Sequence, residues 1–129
     1  PVIVTNADLV TNLKFRDILN YHTHNHADIT MAIKKHEYQN PYGVVDSKGI
    51  VLKKIVEKPL MNFNINAGVY IINKNLIKKI NVSKPLSLEK DFFPKYLNMN
   101  IQAFIVKNKK FIDIGTPNTF KKADIFFNK

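Results

Sequence analysis

The chain has 129 residues, 45% of them apolar, which is enough for one folded domain with a hydrophobic core and excludes intrinsic disorder. The absence of cysteine excludes disulfides and thiolate chemistry and fits a cytoplasmic location, and no apolar run approaches the ~18 residues of a membrane span. The formal net charge of +10 fits either an anionic partner or a merely lysine-rich composition, and nucleic acid is the less favoured anion because Arg16 is the only arginine.

The first elements predict a strand, a helix and a second strand. Residues 1–5 form an unbroken β-rich run, typical of a strand buried on both faces. Apolar positions in 14–21 follow one helix face, with Asn12 available as a cap, and residues 28–33 predict the next strand. A strand–helix–strand order is typical of a parallel sheet. Because the chain opens in mid-strand without an initiator methionine, we expect it to be part of a longer protein.

The remaining elements indicate a mixed sheet flanked by helices, and therefore an α/β fold. The predicted strands are 42–45, 50–56, 65–72 and a final pair at 101–106 and 111–114. A hairpin turn at 46–49 is predicted to connect the first two of them. The predicted helices are 74–80, a segment at 86–97 that bends or stops near Pro94, and a terminal helix that Thr116 caps and Pro117 begins, running to residue 129.

Two aspartates are candidate metal ligands. Asp8 follows the first strand, and ligands of open α/β sheets gather at the carboxyl ends of strands. Asp113 ends a later strand, and Gly115 permits a tight turn or a close approach to a ligand. Such carboxylates suit Mg²⁺, which prefers oxygen ligands shared with phosphates. The alternatives are a turn aspartate at position 8 and a capping group at position 113.

Three further blocks contain candidate substrate-binding residues. Lys58, fixed in an extended conformation by Pro59, suits a phosphate, and Glu57 suits sugar hydroxyls, although the pair is also compatible with a surface ion pair. Asn66 and Gly68 precede a strand and suit a polar contact beside closely approaching backbone, or else a β-bulge. Tyr42 and Gly43 permit a similar approach of backbone to a sugar ring.

Three histidines indicate metal binding only weakly. On a helix only His22 and His26 share a face, no glutamate lies between them, and solvated histidines at a helix end are the favoured interpretation. The four glycines are too scattered for a phosphate-binding loop of the Walker or dinucleotide type, and no serine lies in a nucleophile elbow.

The order of these blocks resembles the sugar-1-phosphate nucleotidyltransferases, over residues 2–123. The segments 38–45, 57–59 and 63–70 are most similar to the mannose-1-phosphate guanylyltransferase-like branch, and Ser87-Leu88-Glu89-Lys90-Asp91-Phe92-Phe93-Pro94 is similar to its helical segment. The resemblance implies a Rossmann-like nucleotidyltransferase fold with a mixed, mainly parallel sheet. It also implies a cytoplasmic, bacterial enzyme of nucleotide-sugar and cell-surface polysaccharide biosynthesis that uses a nucleoside triphosphate, GTP in that branch, and a sugar 1-phosphate.

The resemblance assigns roles residue by residue. Asp8 and Asp113 match the two catalytic aspartates that hold Mg²⁺, although Ala7 stands where the family usually has glycine. The positions that match the substrate-binding residues are Tyr42, Gly43, Glu57 for sugar hydroxyls, Lys58 for the sugar's phosphate and catalysis, Asn66 and Gly68.

The family's glycine-rich loop, with its arginine and Pro-Lys, is not found in residues 1–129. We therefore expect the chain to be the sugar- and metal-binding carboxyl-terminal portion of a nucleotidyltransferase domain, inactive without a nucleotide-binding amino-terminal part. A homo-oligomer is compatible with this expectation. Neither nucleic acid nor a membrane is an expected partner. The alternative function is a catalytically silent domain of the same fold that binds a nucleotide sugar to regulate a partner.

Overall fold

The computed structural model describes residues 1–81 and 83–127. The strands in this part of the chain are β1 (Val2–Thr5), β2 (Leu9–Thr11), β3 (Ile29–Gln39), β4 (Val44–Lys48), β5 (Val51–Val56), β6 (Leu60–Ile72), β7 (Ile101–Ile105) and β8 (Phe111–Asp113). The α-helices are α1 (Phe15–His24), α2 (Lys74–Ile77) and α3 (Pro117–Phe127). A π-helical turn at Leu88–Phe92 and a 3-10 turn at Phe93–Tyr96 occupy the predicted bent segment around Pro94. No described helix is long and apolar enough to cross a membrane.

The central sheet has four strands in the order β1-β6-β3-β7. Strand β6 runs antiparallel to both neighbours, and β3 runs parallel to β7, so β1, β3 and β7 share one direction. This confirms the predicted α/β architecture with a mixed sheet. The expectation of a mainly parallel sheet is not met in the described residues, because β6 lies between β1 and β3 and only the β3–β7 pairing is parallel. The prediction that β1 is buried on both faces is wrong: it is an edge strand, and Ile3 is 40% exposed.

Each face of the central sheet is covered by a separate apolar cluster. On one face α1 packs through the fully buried Ile18 onto Val69 and Ile71 of β6. On the other face Ile72 and Tyr70 pack with α2 and with Phe92 and Phe93 of the helical turns. Strand β6 contributes side chains to both clusters, which makes its inner half the most buried part of the chain.

The two strands after residue 100 do not pair with each other, contrary to prediction. Strand β7 joins the central sheet, whereas β8 pairs antiparallel with β2, a three-residue strand that the sequence pattern did not reveal. In this ladder Leu9 lies opposite Asp113. The pairing matters for function because it brings residues 8 and 113 together.

Two cap predictions had opposite outcomes. Thr116 caps α3 as expected, since its Oγ1 accepts a hydrogen bond from the backbone N–H of Thr119 at 3.2 Å. The predicted end of this helix at residues 128–129 lies outside the described residues. Asn12 does not cap α1; its Oδ1 accepts instead from the backbone N–H of Lys110 at 2.8 Å, which ties β2 to the segment before β8.

His22 is not a solvated histidine. It is 3% exposed, its Nδ1 lies 2.9 Å from Thr30 Oγ1, and its Nε2 lies 3.2 Å from Asn73 Oδ1. Both ring nitrogens are therefore engaged between α1 and the central sheet. Because burying an unpaired polar group is costly, these partners explain why an imidazole is tolerated there.

Strands β4 and β5 form a separate two-stranded sheet. A two-residue turn at Gly49 and Ile50 joins them, shorter than the predicted turn at 46–49, and Gly49 has a φ of +60°. Every residue of both strands is exposed. A lone hairpin has little independent stability, so its position depends on its connections to β3 and β6.

Candidate active site

Asp8 and Asp113 converge on one point. Asp8 precedes β2 and Asp113 ends β8, and the backbone N–H of Ile114 donates to the Asp8 carbonyl at 2.8 Å. A Cβ placed on Gly115 would lie 3.0 Å from Asp113 Oδ1 and 3.2 Å from Asp8 Oδ2, so both carboxylates come within 3.2 Å of that position. The Gly115 N–H also donates to Asp113 Oδ1 at 2.7 Å. The glycine therefore leaves the space that the two carboxylates occupy.

The two carboxylates lie in a cavity of about 250 Å³, which we call the aspartate pocket. It is lined by Asn6, Asp8, Leu9, Lys34, Ile65, Asn66, Ala67, Gly68, Phe111, Ile112 and Asp113. Two carboxylates and one lysine thus line a small cavity whose other lining residues are largely apolar. Within the described residues no third His, Cys, Asp or Glu joins a metal-binding group.

A wide irregularity in β6 shapes the wall of the aspartate pocket. The β3–β6 register pairs Met31 with Tyr70 and Ile33 with Asn66, so three residues of β6 face one of β3. Gly68, within this bulge, has a φ of +71°, and a Cβ there would lie 2.9 Å from Asn6 Nδ2. Asn66 and Gly68 therefore lie in a β-bulge, which was one of the two interpretations of their sequence. Bulges are frequent next to active sites because they redirect side chains.

Asn66 is held in a fixed orientation. Its Oδ1 accepts from the Gly68 N–H at 2.9 Å, and its Nδ2 donates to the Tyr70 hydroxyl at 2.5 Å. The Tyr70 hydroxyl donates in turn to Glu89 Oε1 at 2.6 Å. Burial, together with the hydrogen bond to Glu89, raises the pKa of Tyr70 to about 12, and the same bond lowers the pKa of the Glu89 carboxyl. Tyr70 is therefore a neutral donor that keeps the amide of Asn66 in place.

The other predicted substrate-binding residues form a second group, which we call the hairpin cluster: Tyr42, Gly43, Glu57 and Lys58. They lie where β4 begins and β5 ends, since Val44 pairs with Val56. A Cβ on Gly43 would lie 2.8 Å from Glu57 Oε2, so the carboxylate rests against the glycine. None of the four lines the aspartate pocket.

Lys58 does not have the extended backbone that Pro59 predicts. Its φ is +43°, in the left-handed region that non-glycine residues rarely adopt, and the Gln39 side chain donates to its carbonyl. Between the start of β6 at Leu60 and Asn66 the strand covers six residues, or roughly 20 Å at ~3.3 Å per residue. The structure therefore separates Lys58 from the two aspartates.

The structure thus brings together Asp8, Asp113, Asn66 and Gly68, and places Tyr42, Gly43, Glu57 and Lys58 elsewhere. It also adds Lys34 and Asn6, which sequence reasoning did not select as site residues. Lys34 was missed because the predicted strand ended at residue 33, whereas β3 continues to Gln39. Residues 34–39 are polar apart from Tyr38, so no periodic signal in the sequence places Lys34 in the sheet.

Comparison with known proteins gives a consistent match. The family model described as "Nucleotidyl transferase" matches residues 1–129. The mannose-1-phosphate guanylyltransferase catalytic subunit beta of Drosophila melanogaster is 32% identical over 124 residues, and that of Dictyostelium discoideum is 35% identical over 126 residues; each match covers 93% of this chain. HddC from Yersinia pseudotuberculosis, whose structure is also known complexed with GMP-PN, is 31% identical with a TM-score of 0.62 over 94% of this chain.

The matches cover only part of each relative. The chain spans 33% and 34% of the two guanylyltransferase subunits and 52% of HddC. Similarity at this level covers nearly all of the present chain, including the aspartate pocket and the hairpin cluster, and it confirms the nucleotidyltransferase fold expected from the sequence motifs.

Proposed function

This chain belongs to the nucleotidyl transferase family, and on that premise we propose that it is part of an enzyme that transfers a nucleoside monophosphate from a nucleoside triphosphate to a sugar 1-phosphate. The products are a nucleotide sugar and pyrophosphate. We propose GTP as the donor, because the two subunits named above are guanylyltransferases. A reaction that consumes a nucleoside triphosphate suits the cytoplasm.

The observation that supports the proposal best is the convergence of Asp8 and Asp113 in one open pocket. Mg²⁺ is typically bound by one or two carboxylates together with substrate phosphates, and the described residues offer two carboxylates without a third side-chain ligand of that kind. The donor set therefore fits magnesium that shares its coordination with phosphate. When bound, the ion would neutralise charge that develops on the reacting phosphates.

The residues of the chain would act mainly by positioning. A phosphate oxygen of the sugar 1-phosphate attacks the α-phosphorus of the triphosphate in line, and pyrophosphate leaves, so no covalent enzyme intermediate is needed. Asn66, held by Gly68 and Tyr70, presents the remaining acceptor capacity of its Oδ1 to a sugar hydroxyl. The backbone of Gly68 shapes the wall against which the sugar lies.

The proposal extends to the hairpin cluster, where Tyr42 and Gly43 approach the sugar ring, Glu57 accepts from sugar hydroxyls and Lys58 pairs with the sugar's phosphate. In the structure β4 and β5 pair only with each other in a sheet of their own. This part of the proposal requires the hairpin to swing about its two connections, so that its cluster approaches the aspartate pocket when substrate binds.

Turnover by the complete gene product tests the proposal. We expect pyrophosphate release with GTP and a sugar 1-phosphate, and a loss of roughly 100-fold or more in kcat for Asp8→Asn and for Asp113→Asn, since metal charge stabilisation contributes several kcal/mol. Asp46→Asn, a charge change on the exposed strand β4, is the matched control and should leave kcat unchanged. All three variants should unfold at the temperature of the wild type.

A regulatory domain without catalytic activity remains the competing function, since Ala7 replaces the usual glycine before Asp8. It predicts tight binding of a nucleotide sugar with no pyrophosphate release from any pair of substrates. That combination of results in the complete gene product would contradict the enzymatic proposal.

A further inference from the structure

Lys34 extends from β3 into the wall of the aspartate pocket. It lies opposite Ile65 in the β3–β6 ladder and next to the pair formed by Ile33 and Asn66. The same cavity contains Asp8 and Asp113. A lysine thus lines the same cavity as the two carboxylates.

The side chain of Lys34 is oriented by an aromatic ring. Its Nζ lies 5.7 Å from the centroid of Phe111, a distance at which a cation is attracted to the ring face. Phe111 is itself part of the pocket wall. The ammonium group is therefore held beside the cavity instead of extending freely into solvent.

The ammonium group has donor capacity to spare. Among the residues that the structure describes, Lys34 takes part in no ion pair or side-chain hydrogen bond besides this ring contact. An ammonium group has three N–H donors, and it is partly shielded from water here, which strengthens its attraction to an anion. The negative charges of the two carboxylates would repel a phosphate, and the positive charge of a nearby ammonium group reduces this repulsion.

We propose that Lys34 binds a phosphate group of the reacting substrates in the aspartate pocket, a role that no motif of the sequence indicated. The identity of those substrates rests on the proposed function above. The shared chemistry is a phosphate oxygen, which belongs either to the sugar 1-phosphate or to the triphosphate and the pyrophosphate released from it.

A direct binding experiment tests the role of Lys34 without turnover. Calorimetric titrations of the complete gene product with pyrophosphate and, separately, with a sugar 1-phosphate, both in EDTA, remove any contribution from a metal at the aspartates. We expect Lys34→Met to weaken the binding of one of these two ligands by roughly 10- to 150-fold, as for a lost charge-assisted hydrogen bond, and Lys34→Arg to retain part of that affinity. Unchanged affinity for both ligands would overturn the proposal.

Lys35→Met is the matched control. Lys35 is the next residue of β3, is exposed, does not line the aspartate pocket and lies with Lys34, Lys107 and Lys109 around an adjoining groove. If Lys34 acts by contact, the control should change affinity by no more than about twofold, because an exposed charge is screened. Equal losses in the two variants would show that only the general positive field matters and would overturn the proposal.

Steady-state kinetics then identify the phosphate that Lys34 contacts. A higher KM for the sugar 1-phosphate alone assigns it to that substrate, and a higher KM for the triphosphate alone assigns it to the donor. Unchanged KM values with a lower unfolding temperature would reveal a purely structural lysine and overturn the proposal. If the methionine variant does not fold, Lys34→Gln provides a second variant, because glutamine keeps a similar length and a hydrogen-bond donor. Absence of turnover in the wild type would contradict the proposed function, whereas pyrophosphate binding would still test Lys34.

Discussion

The aspartate pocket and the hairpin cluster contain similar residue types, yet they differ in what supports them. One wall of the pocket is formed by residues 65–68 of β6, at the start of the buried half of that strand, where Ala67 is 5% exposed and Val69 is fully buried. The hairpin cluster is attached to β4 and β5, where Val45 is 50% and Ile55 is 62% exposed. Asp8 and Asp113 flank the β2–β8 ladder, whose Leu9 and Phe111 pack against a core cluster. The hairpin cluster lies instead on two strands that are exposed along their whole length and pair only with each other.

This difference separates two tasks in the proposed reaction. Groups that stabilise developing charge act best when they are already in position, which the pocket provides. Groups that recognise the sugar can arrive with a mobile segment and complete the site around it. The comparison therefore predicts that substitutions that displace the two aspartates lower kcat, whereas substitutions at the hairpin cluster raise KM.

The two glycines that touch carboxylates offer the most direct way to break this comparison. In Gly115→Ala the new methyl would lie 3.0 Å from Asp113 Oδ1 and 3.2 Å from Asp8 Oδ2, so both carboxylates must shift. We expect kcat of the complete gene product to fall roughly 100-fold, as for a reacting group displaced by about 1 Å. Gly43→Ala is the matched variant, because the one close contact of its methyl is the exposed end of Glu57 at 2.8 Å, and it should leave kcat within about tenfold of wild type. Equal effects on kcat would show that the two regions do not divide the tasks.

Lys58 tests whether the hairpin reaches the substrate at all. Lys58→Ala should raise the KM for the sugar 1-phosphate by roughly 10-fold or more and change the KM for the triphosphate little, since a charge-assisted bond is lost. Lys58→Gly removes the same ammonium group but relieves the left-handed backbone at φ +43°, so it should be the more stable of the two variants. An unchanged KM in both variants would leave Lys58 as a surface residue and confine substrate binding to the pocket.

A second pair of glycines compares the backbones of the two regions. Gly68 and Gly49 have similar φ values of +71° and +60°, but a methyl on Gly68 would meet Asn6 at 2.9 Å, whereas the space around Gly49 is open. Gly68→Ala should therefore destabilise the protein by about 1–3 kcal/mol. Gly49→Ala should cost less than about 1–2 kcal/mol in urea denaturation, because its hairpin can distort without unfolding the core. The reverse order would mean that the hairpin is the better supported region.

Two local predictions from the sequence are confirmed. The strand-end positions of Asp8 and Asp113 predict that their carboxylates lie close together, and Thr116 with Pro117 predicts the start of α3. These signals lie within a few residues of one another and depend on turn and capping preferences. The bulge at Gly68 was among the alternatives for the same reason.

The errors concern pairings between distant segments. The three residues of β2 are too few for a periodic signal, and their partnership with β8 depends on contacts a hundred residues away. The position of β6 between β1 and β3, and hence the exposure of Ile3, is likewise a property of the whole sheet. Lys34 was overlooked because the polar half of β3 has no apolar alternation to mark it as a strand. The separation of the two regions therefore could not be read from the motifs.

The smallest expected effect concerns the network behind Asn66, and it sharpens the pocket side of the comparison. Because the pKa of Tyr70 is raised to about 12 in the folded protein, the unfolded chain, with a tyrosine pKa of 10.0, releases its proton first as the pH rises. The stability that Tyr70 contributes is thus fully present below pH 10 and is lost between about pH 10 and 12. At the acid end the lowered pKa of Glu89 gives stability that is present above its ordinary value of 4.5 and is lost as the pH falls below it.

Urea denaturation across the pH range should show Tyr70→Phe with a flatter alkaline limb than the wild type. Tyr42→Phe, at an exposed tyrosine of the hairpin cluster, should reproduce the wild-type curve. If both variants changed the alkaline limb equally, the hydroxyl of Tyr70 would not be the group that holds the pocket wall in place.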